Sequence, residues 1–181
     1  GNLLDRIIMN RFAPVDIPIG FHWHHFDQPI LPPVMPDHLT LSGGIQDKKI
    51  VVYLHWEHMD DIISMLKPVR SHHFYIYSKI DEPRDDGHLH HKPLSREGFL
   101  NDLKTCSGVI CNAGFQLTSE VLYLGRKVLI RPIFGQAEQE SNAEVLEMRD
   151  LGSVMTELRS ETVEEWLDQP QGTSLRYPGV A

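Results

Sequence analysis

Val109-Ile110-Cys111-Asn112-Ala113-Gly114-Phe115-Gln116-Leu117-Thr118-Ser119-Glu120-Val121-Leu122-Tyr123-Leu124 is the stretch that decides the fold. The apolar run Val109 to Cys111 has the composition of a buried strand, and it enters a turn at Gly114. Beyond the turn, Leu117, Val121 and Leu124 recur at the spacing of one helix face. A strand passing through glycine straight into an amphipathic helix opens a βαβ unit. The same alternation continues on both sides. Toward the N-terminus, Ile50 to Leu54 reads as a strand, and Met59, Ile62, Ile63 and Leu66 fall at i, i+3, i+4 and i+7 of a helix. Asp60 and Asp61 favour that helix's positive end, and Lys67 with Pro68 stops it. His73 to Tyr77 gives a second strand and His90 to Leu94 a short third; Ser95 then caps a helix with Phe99, Leu100 and Leu103 facing inward. Toward the C-terminus the reading is a strand over Val128 to Ile133, a helix over 138–149, a short strand over Val154 to Thr156 and a last helix over 162–167. This predicts a doubly wound, Rossmann-like α/β domain, its parallel sheet covered by helices on both faces.

The chain has 181 residues, 41% hydrophobic and 23% charged, enough for one domain with its own core. Lys and Arg number 17 against 25 Asp and Glu, giving a formal charge of −8, so neither nucleic acid nor a polybasic attachment to a membrane is expected. Cys106 and Cys111 make neither a disulfide framework nor a C-x-x-C pair, which fits a reducing compartment. No run approaches the roughly 18 apolar residues of a membrane span and no signal pattern opens the sequence, so a cytoplasmic protein is expected.

Three regions are expected. Residues 1–36 are interrupted by Pro14, Pro18, Pro29, Pro32, Pro33 and Pro36, yet carry Phe12, Phe21, Trp23, Phe26 and other bulky apolar side chains, so they read as a connector packed along something. Residues 37–168 form the α/β domain. Residues 169–181 have no hydrophobic period and are expected to be loose.

In such a sheet, ligands sit outside the carboxyl ends of the strands, which directs attention to the loops after Leu54, Leu94, Asn112 and Ile133. At Gly114 a strand opens into a helix, leaving the N–H groups of residues 114–117 for an anion; a diphosphate fits that geometry. Glu120 borders the buried face of the same helix, where a carboxylate could accept two hydrogen bonds from the vicinal hydroxyls of a ribose. The plainer reading is a tight turn followed by a surface acid. The loop 132–143 places Glu138 and Gln139 at a helix start, an acid-amide pair suited to sugar hydroxyls or merely to the helix dipole.

The ordered run Asn112-Ala113-Gly114, Ser119-Glu120, Gly125, Pro132, Gln136, Glu138-Gln139 and Asn142-Ala143 resembles the donor-binding signature of GT-B glycosyltransferases. It is most similar to the carboxyl-terminal domain of family 28, the peptidoglycan N-acetylglucosaminyltransferase type, and to glycosyltransferase-like proteins of unassigned acceptor. The resemblance spans roughly Lys49 to Leu167. It implies a nucleotide-sugar site, with Asn112, Ala113, Gly114, Phe115 and Gln116 at the donor diphosphate, Glu120 at the ribose, Pro93 and Leu94 at the base, and Gln136, Glu138 and Gln139 at the donor sugar. The sequence departs from the pattern at Ala113, where His or Ser is usual, and at Glu138, where Asp is common.

The resemblance further implies a UDP-linked sugar as donor, an inverting reaction without metal or other cofactor, an unidentified acceptor, and an N-terminal acceptor domain of the same protein as partner. Residues 1–36 would be the interdomain connector and the end of that domain, the general base would lie on it, and this truncated half would bind donor without transferring sugar. The whole protein would sit in the cytoplasm or against the inner face of a membrane. Rival readings are a nucleotide-sugar epimerase of the same architecture and a non-catalytic metal-binding or interaction module.

The metal reading rests on histidine clusters at His22, His24 and His25, at His55 and His58, at His72 and His73, and at His88, His90 and His91. None has H-E-x-x-H or cysteine-assisted spacing, so no metal site is assigned. His55, Trp56 and His58 lie at the ligand edge and are candidate cleft contacts or structural residues. Arg131 ends an apolar strand, either snorkelling or directed at phosphate. Cys111 reads as a small buried hydrophobe rather than a nucleophile. The acidic run from Ala137 to Asp168 reads as a solvated face.

Overall fold

A computed structural model of the chain describes residues 19–36, 39, 44–172 and 174–175. Two short strands come first, β1 (Gly20–Phe21) and β2 (Ile30–Leu31), paired parallel with each other. The main sheet follows in order along the chain: β3 (Gln46–Tyr53), α1 (Met59–Leu66), β4 (His73–Ser78), β5 (Arg84–Asp86), β6 (Leu89–Pro93), α2 (Arg96–Thr105), β7 (Cys106–Asn112), α3 (Phe115–Tyr123), β8 (Lys127–Arg131), α4 (Ala137–Met148), β9 (Ser153–Val154) and α5 (Ser160–Leu167). Its seven strands are ordered β5-β6-β4-β3-β7-β8-β9, and every neighbouring pair is parallel except β5 with β6. The chain winds outward from β3 through β4 to β6, crosses back by α2 to β7, then winds the other way. The direction of winding therefore reverses between β3 and β7, and a crevice opens there at the carboxyl ends.

The central strands are buried on both faces, which is why they appear in the sequence as unbroken apolar runs instead of alternating ones. Ile50, Val52, Phe74 and Ile76 point to the layer that holds α1 and α5, where Leu66, Val163 and Trp166 meet them. Val51, Val109 and Cys111 point to the opposite layer with Leu103, Val121, Leu122 and Leu146 from α2, α3 and α4. Gly108 lets Trp166 approach β7 closely, because a Cβ there would stand 2.7 Å from the indole.

Ser95 is the N-cap of α2, its hydroxyl accepting the Gly98 N–H at 3.1 Å. Ser95→Ala is expected to cost about 1 kcal/mol. In a domain of this size that is a drop of about 2–4 °C in Tm, readable in a thermal melt.

Several expectations are corrected. The strand read as Val128 to Ile133 stops at Arg131, since Pro132 offers no N–H to continue the ladder. Phe99 and Leu100 are only half-buried; of the inward-facing trio on α2, Leu103 alone is enclosed. The tail expected to be loose is tied down over its described part. Gln171 Nε2 donates to the Ser107 and Gly125 carbonyls at 2.9 and 3.0 Å, the Leu175 N–H donates to Leu122 at 2.9 Å, and the Ser174 hydroxyl to Tyr123 at 2.7 Å. These bonds satisfy backbone carbonyls, so the segment is held by polar contacts that leave no hydrophobic period in the sequence. Residue 173 and residues 176–181 of that tail, like residues 1–18 of the expected connector, lie outside the described residues.

Candidate functional site

At the carboxyl edge a cavity of about 500 Å³ opens between β3, β4, α2 and α3, lined by Pro36, Tyr53, Tyr77, Leu94, Ser95, Arg96, Phe99, Leu100, Gln116, Leu117 and Glu120. Its interior is aromatic and aliphatic. Phe99 stands edge-on to Tyr77 (centroids 5.1 Å apart) and to Tyr53 (5.6 Å). Tyr77 is fixed from behind: its hydroxyl donates to Asp102 Oδ2 at 2.6 Å, while Asp102 Oδ1 meets Lys49 Nζ at 2.8 Å. Burial first, and the Asp102 hydrogen bond second, push the Tyr77 phenol well above its ordinary pKa, so it stays a donor. The polar groups stand at the mouth, where Gln116 Nε2 donates to Glu120 Oε1 at 2.9 Å. Three residues marked from the sequence for three different parts of a ligand, Leu94, Gln116 and Glu120, thus share one cavity. Pro93, at the end of β6, immediately precedes it.

The turn after β7 has a conformation that does not demand glycine. Gly114 is the N-cap of α3 with φ −68° and ψ 134°, ordinary extended backbone, so the tight-turn explanation does not account for it. No atom lies within 4 Å of where its Cβ would stand. The missing side chain leaves open space at a helix mouth. The first intrahelical bond runs from the Thr118 N–H to the Gly114 carbonyl, leaving the N–H groups of Phe115, Gln116 and Leu117 without intrahelical acceptors.

The neighbouring polar residues hold this turn in place. The Asn112 side chain donates to the Arg131 carbonyl at 3.0 Å, joining the ends of β7 and β8. Gln139 Oε1 accepts from both Ala113 N–H and Ile133 N–H at 3.1 Å, so its carbonyl is occupied and only its amide donors face outward. Asn142, 4% exposed, donates to the Ala113 carbonyl at 2.9 Å. Gln136 and Glu138 are exposed at the start of α4, and Glu140, not marked from the sequence, accepts the Gly135 N–H at 2.8 Å.

Arg131 is tied to Glu57 through Nε at 3.2 Å and to the Thr156 carbonyl through NH1, clipping together the loops after β3, β8 and β9. His55 stacks on Tyr53 and helps line a separate cavity of about 140 Å³ that shares Tyr77 with the larger one. Trp56 is 66% exposed and His58 is an N-cap with no side-chain cap bond. Both cysteines are free and buried, and burial pushes each thiol up to about 12, which removes them as nucleophiles at neutral pH. Among the described residues no group of three or more His, Cys, Asp or Glu is arranged to hold a metal ion, and no helix is long and apolar enough to cross a membrane.

Sequence reasoning missed the walls of the large cavity. Tyr53 and Tyr77 sit at or near the carboxyl ends of β3 and β4, the strands that border the cavity, so the rule that placed ligands at those ends could have found them.

A doubly wound sheet with its cavity at the point where the winding reverses is the architecture of GT-B glycosyltransferase domains, and solved structures with that fold match the chain. The glycosyltransferase SnogD from Streptomyces nogalater aligns with a TM-score of 0.55 at 19% identity, over 77% of this chain and 42% of that one. The spinosyn forosaminyltransferase SpnP aligns at 0.55 and 13% identity over 94% and 54%, and the calicheamicin glycosyltransferase CalG4 at 0.56 and 13% over 93% and 52%. The chain spans about half the length of these proteins or less. Residues 24–170 match the model of glycosyl transferase family 1, and the chain belongs to that family. No curated protein matches it in sequence.

Proposed function

We propose that this chain is the donor-binding, carboxyl-terminal half of a glycosyltransferase that moves a sugar from a nucleoside diphosphate, UDP by preference, to an acceptor held on a second domain. The observation that carries the reading is the cavity at the switch point, apolar within and with Glu120 and Gln116 at its mouth, beside the open turn at Gly114. A base fits between Leu94 and the Tyr53 and Phe99 rings, and the Glu120 carboxylate accepts from the ribose hydroxyls. The diphosphate lies against the N–H groups at the start of α3, where the helix dipole favours negative charge without a bound metal. The sugar extends toward Gln136, Glu138 and the free amide donors of Gln139. As the glycosidic bond breaks, the same helix mouth takes up charge on the leaving diphosphate. Attack from the opposite face inverts the anomeric centre, with the general base supplied by the acceptor half, so this half alone binds donor and transfers nothing. The reading is supported by the resemblance of the signature residues to the family 28 pattern, from which Ala113 and Glu138 depart.

The test is calorimetric titration of the chain with UDP, TDP and GDP. Saturable binding of UDP ahead of the other two is expected. Failure of all three to bind would overturn the reading.

A further inference from the structure

Gln139 and Asn142 stand three residues apart on α4, on the side turned to the end of β7, and both bond the backbone of one residue there. Gln139 Oε1 accepts the Ala113 N–H at 3.1 Å, and Asn142 Nδ2 donates to the Ala113 carbonyl at 2.9 Å. Ala113 is fully buried and Asn142 is 4% exposed, so water does not compete for that carbonyl. The next carbonyl, that of Gly114, accepts the Thr118 N–H at 3.2 Å and the Thr118 hydroxyl at 2.8 Å. Three successive peptide planes are thereby tied: the first by the Ala113 N–H, the next two by their carbonyls.

In a trans peptide the carbonyl and the N–H point in opposite directions, so a plane held by its carbonyl offers its N–H on the far side. The planes held by Asn142 and Thr118 offer the N–H groups of Gly114 and Phe115. The two holds differ in origin. Thr118 bonds the carbonyl four residues back along its own helix, which a threonine in a first turn does without help from the fold. Asn142 reaches in from another helix, 29 residues away. The plane it holds is also the one least able to hold itself. Gly114 has no Cβ, and no atom lies within 4 Å of where one would stand, so glycine accepts either sign of φ when the Ala113–Gly114 peptide turns over. Turning over exchanges the N–H for the carbonyl oxygen and sets a partial negative charge where an anion is to bind.

Resting on the donor-site reading above for the identity of the anion, we propose that Asn142 is a positioning residue: it locks the Ala113–Gly114 peptide in the orientation that presents the Gly114 N–H to the diphosphate. Asn142 is buried behind the turn and touches no ligand itself. Glycine at 114 brings two properties together, an opening through which a phosphate can approach the backbone and a peptide free to turn over. The amide of Asn142 removes the second and leaves the first. Gln139 adds to the hold from the preceding plane and, because the same oxygen accepts the Ile133 N–H at 3.1 Å, ties the turn to the loop after β8. The donor is thus met by backbone whose direction is set before it arrives, so little ordering is left to oppose binding.

The experiment compares UDP with uridine, which keeps the base and the ribose and has no phosphate, on the ¹⁵N-labelled wild type and on Asn142→Leu, which fills the same space without a donor. In the wild type, UDP should move the Gly114 amide proton downfield, uridine should leave it in place, and the free protein should show no microsecond-to-millisecond relaxation dispersion at Gly114. In Asn142→Leu, dispersion should appear at Gly114 and UDP affinity should fall by about tenfold, the loss of one hydrogen bond to a charged group, while uridine affinity is unchanged. A variant that is merely damaged would lose both ligands in the same proportion, and that result overturns the proposal, as does an Asn142→Leu protein with wild-type UDP affinity. Should Asn142→Leu fail to fold, the wild type still decides: a Gly114 amide indifferent to bound UDP overturns the proposal. A wild type that binds neither ligand would defeat the donor reading instead, and the dispersion at Gly114 would still decide whether Asn142 locks the peptide.

Discussion

Glu120→Ala is expected to weaken UDP binding by about 100-fold while leaving the melting temperature close to that of the wild type. The carboxylate stands at the cavity mouth, half-buried, where Gln116 four residues earlier donates to it at 2.9 Å. A pair at that spacing on a helix contributes roughly 0.2–0.5 kcal/mol, and alanine recovers part of it through its higher helix propensity. The fold therefore loses almost nothing. The ligand loses two hydrogen bonds from neighbouring hydroxyls to an ionised acceptor, each worth about 1.5–3 kcal/mol, and about 1.4 kcal/mol is a factor of ten in affinity. Glu120→Gln should fall between the two, since an amide oxygen still accepts but without charge. Titration calorimetry on both variants, with circular dichroism as the control for folding, decides the matter. Unchanged affinity in Glu120→Ala would take the ribose role away from this residue.

The sheet was legible because its central strands are buried on both faces and so stand out as apolar runs. Where a strand is held by pairing alone it leaves no such trace. β5 is Arg84-Asp85-Asp86, exposed and charged throughout, and exists only because it pairs antiparallel with β6. Charge at a sheet edge guards against further pairing and reads in a sequence as loop. The first residues of β3, Gln46 to Lys48, are hidden for the same reason; they are exposed, and the register with β7 shifts between Gln46 and Ile50.

The site divides along a similar line. Glu120 and the backbone of Gln116 could be marked because they lie at a fixed offset from a strand end, which the fold converts into position, whereas Leu94 is marked at the base through the resemblance to the donor-binding signature. Gln139 was marked as a sugar ligand, but its carbonyl accepts two backbone N–H groups, 26 and 6 residues away in the chain. No local pattern encodes a partner at that distance. Phe99 and Leu100 show a different limit: spacing on a helix marks an apolar face and cannot tell whether the face meets the core or the wall of a cavity. His22 and Trp23 read as part of a connector packed along something, and they pack on the helix that carries Gln116 and Glu120; what a connector packs on is not encoded in its own composition.

Asp102→Ala should produce the largest loss of stability, about 3–5 kcal/mol, or roughly 10 °C in Tm. Lys49 is 8% exposed, and its ammonium is met by Asp102 Oδ1 at 2.8 Å, Thr105 Oγ1 at 2.8 Å and the face of Tyr75 at 4.8 Å. Without the carboxylate, one hydroxyl and one ring remain for a buried charge, and neither replaces the lost solvation. The second consequence reaches the cavity, because Asp102 Oδ2 also anchors the Tyr77 hydroxyl. With that bond gone, the ring facing Phe99 can turn, so UDP affinity should fall as well, though less than in Glu120→Ala. Replacing both charges tests the cause. In Lys49→Met with Asp102→Ala the ammonium is absent, an apolar chain of similar length fills its path, and most of the lost stability should return, while Tyr77 remains unanchored and affinity stays low. Urea unfolding of the two proteins separates these effects. A double variant no more stable than Asp102→Ala alone would show that the penalty comes from the lost packing around Asp102 rather than from the orphaned charge of Lys49.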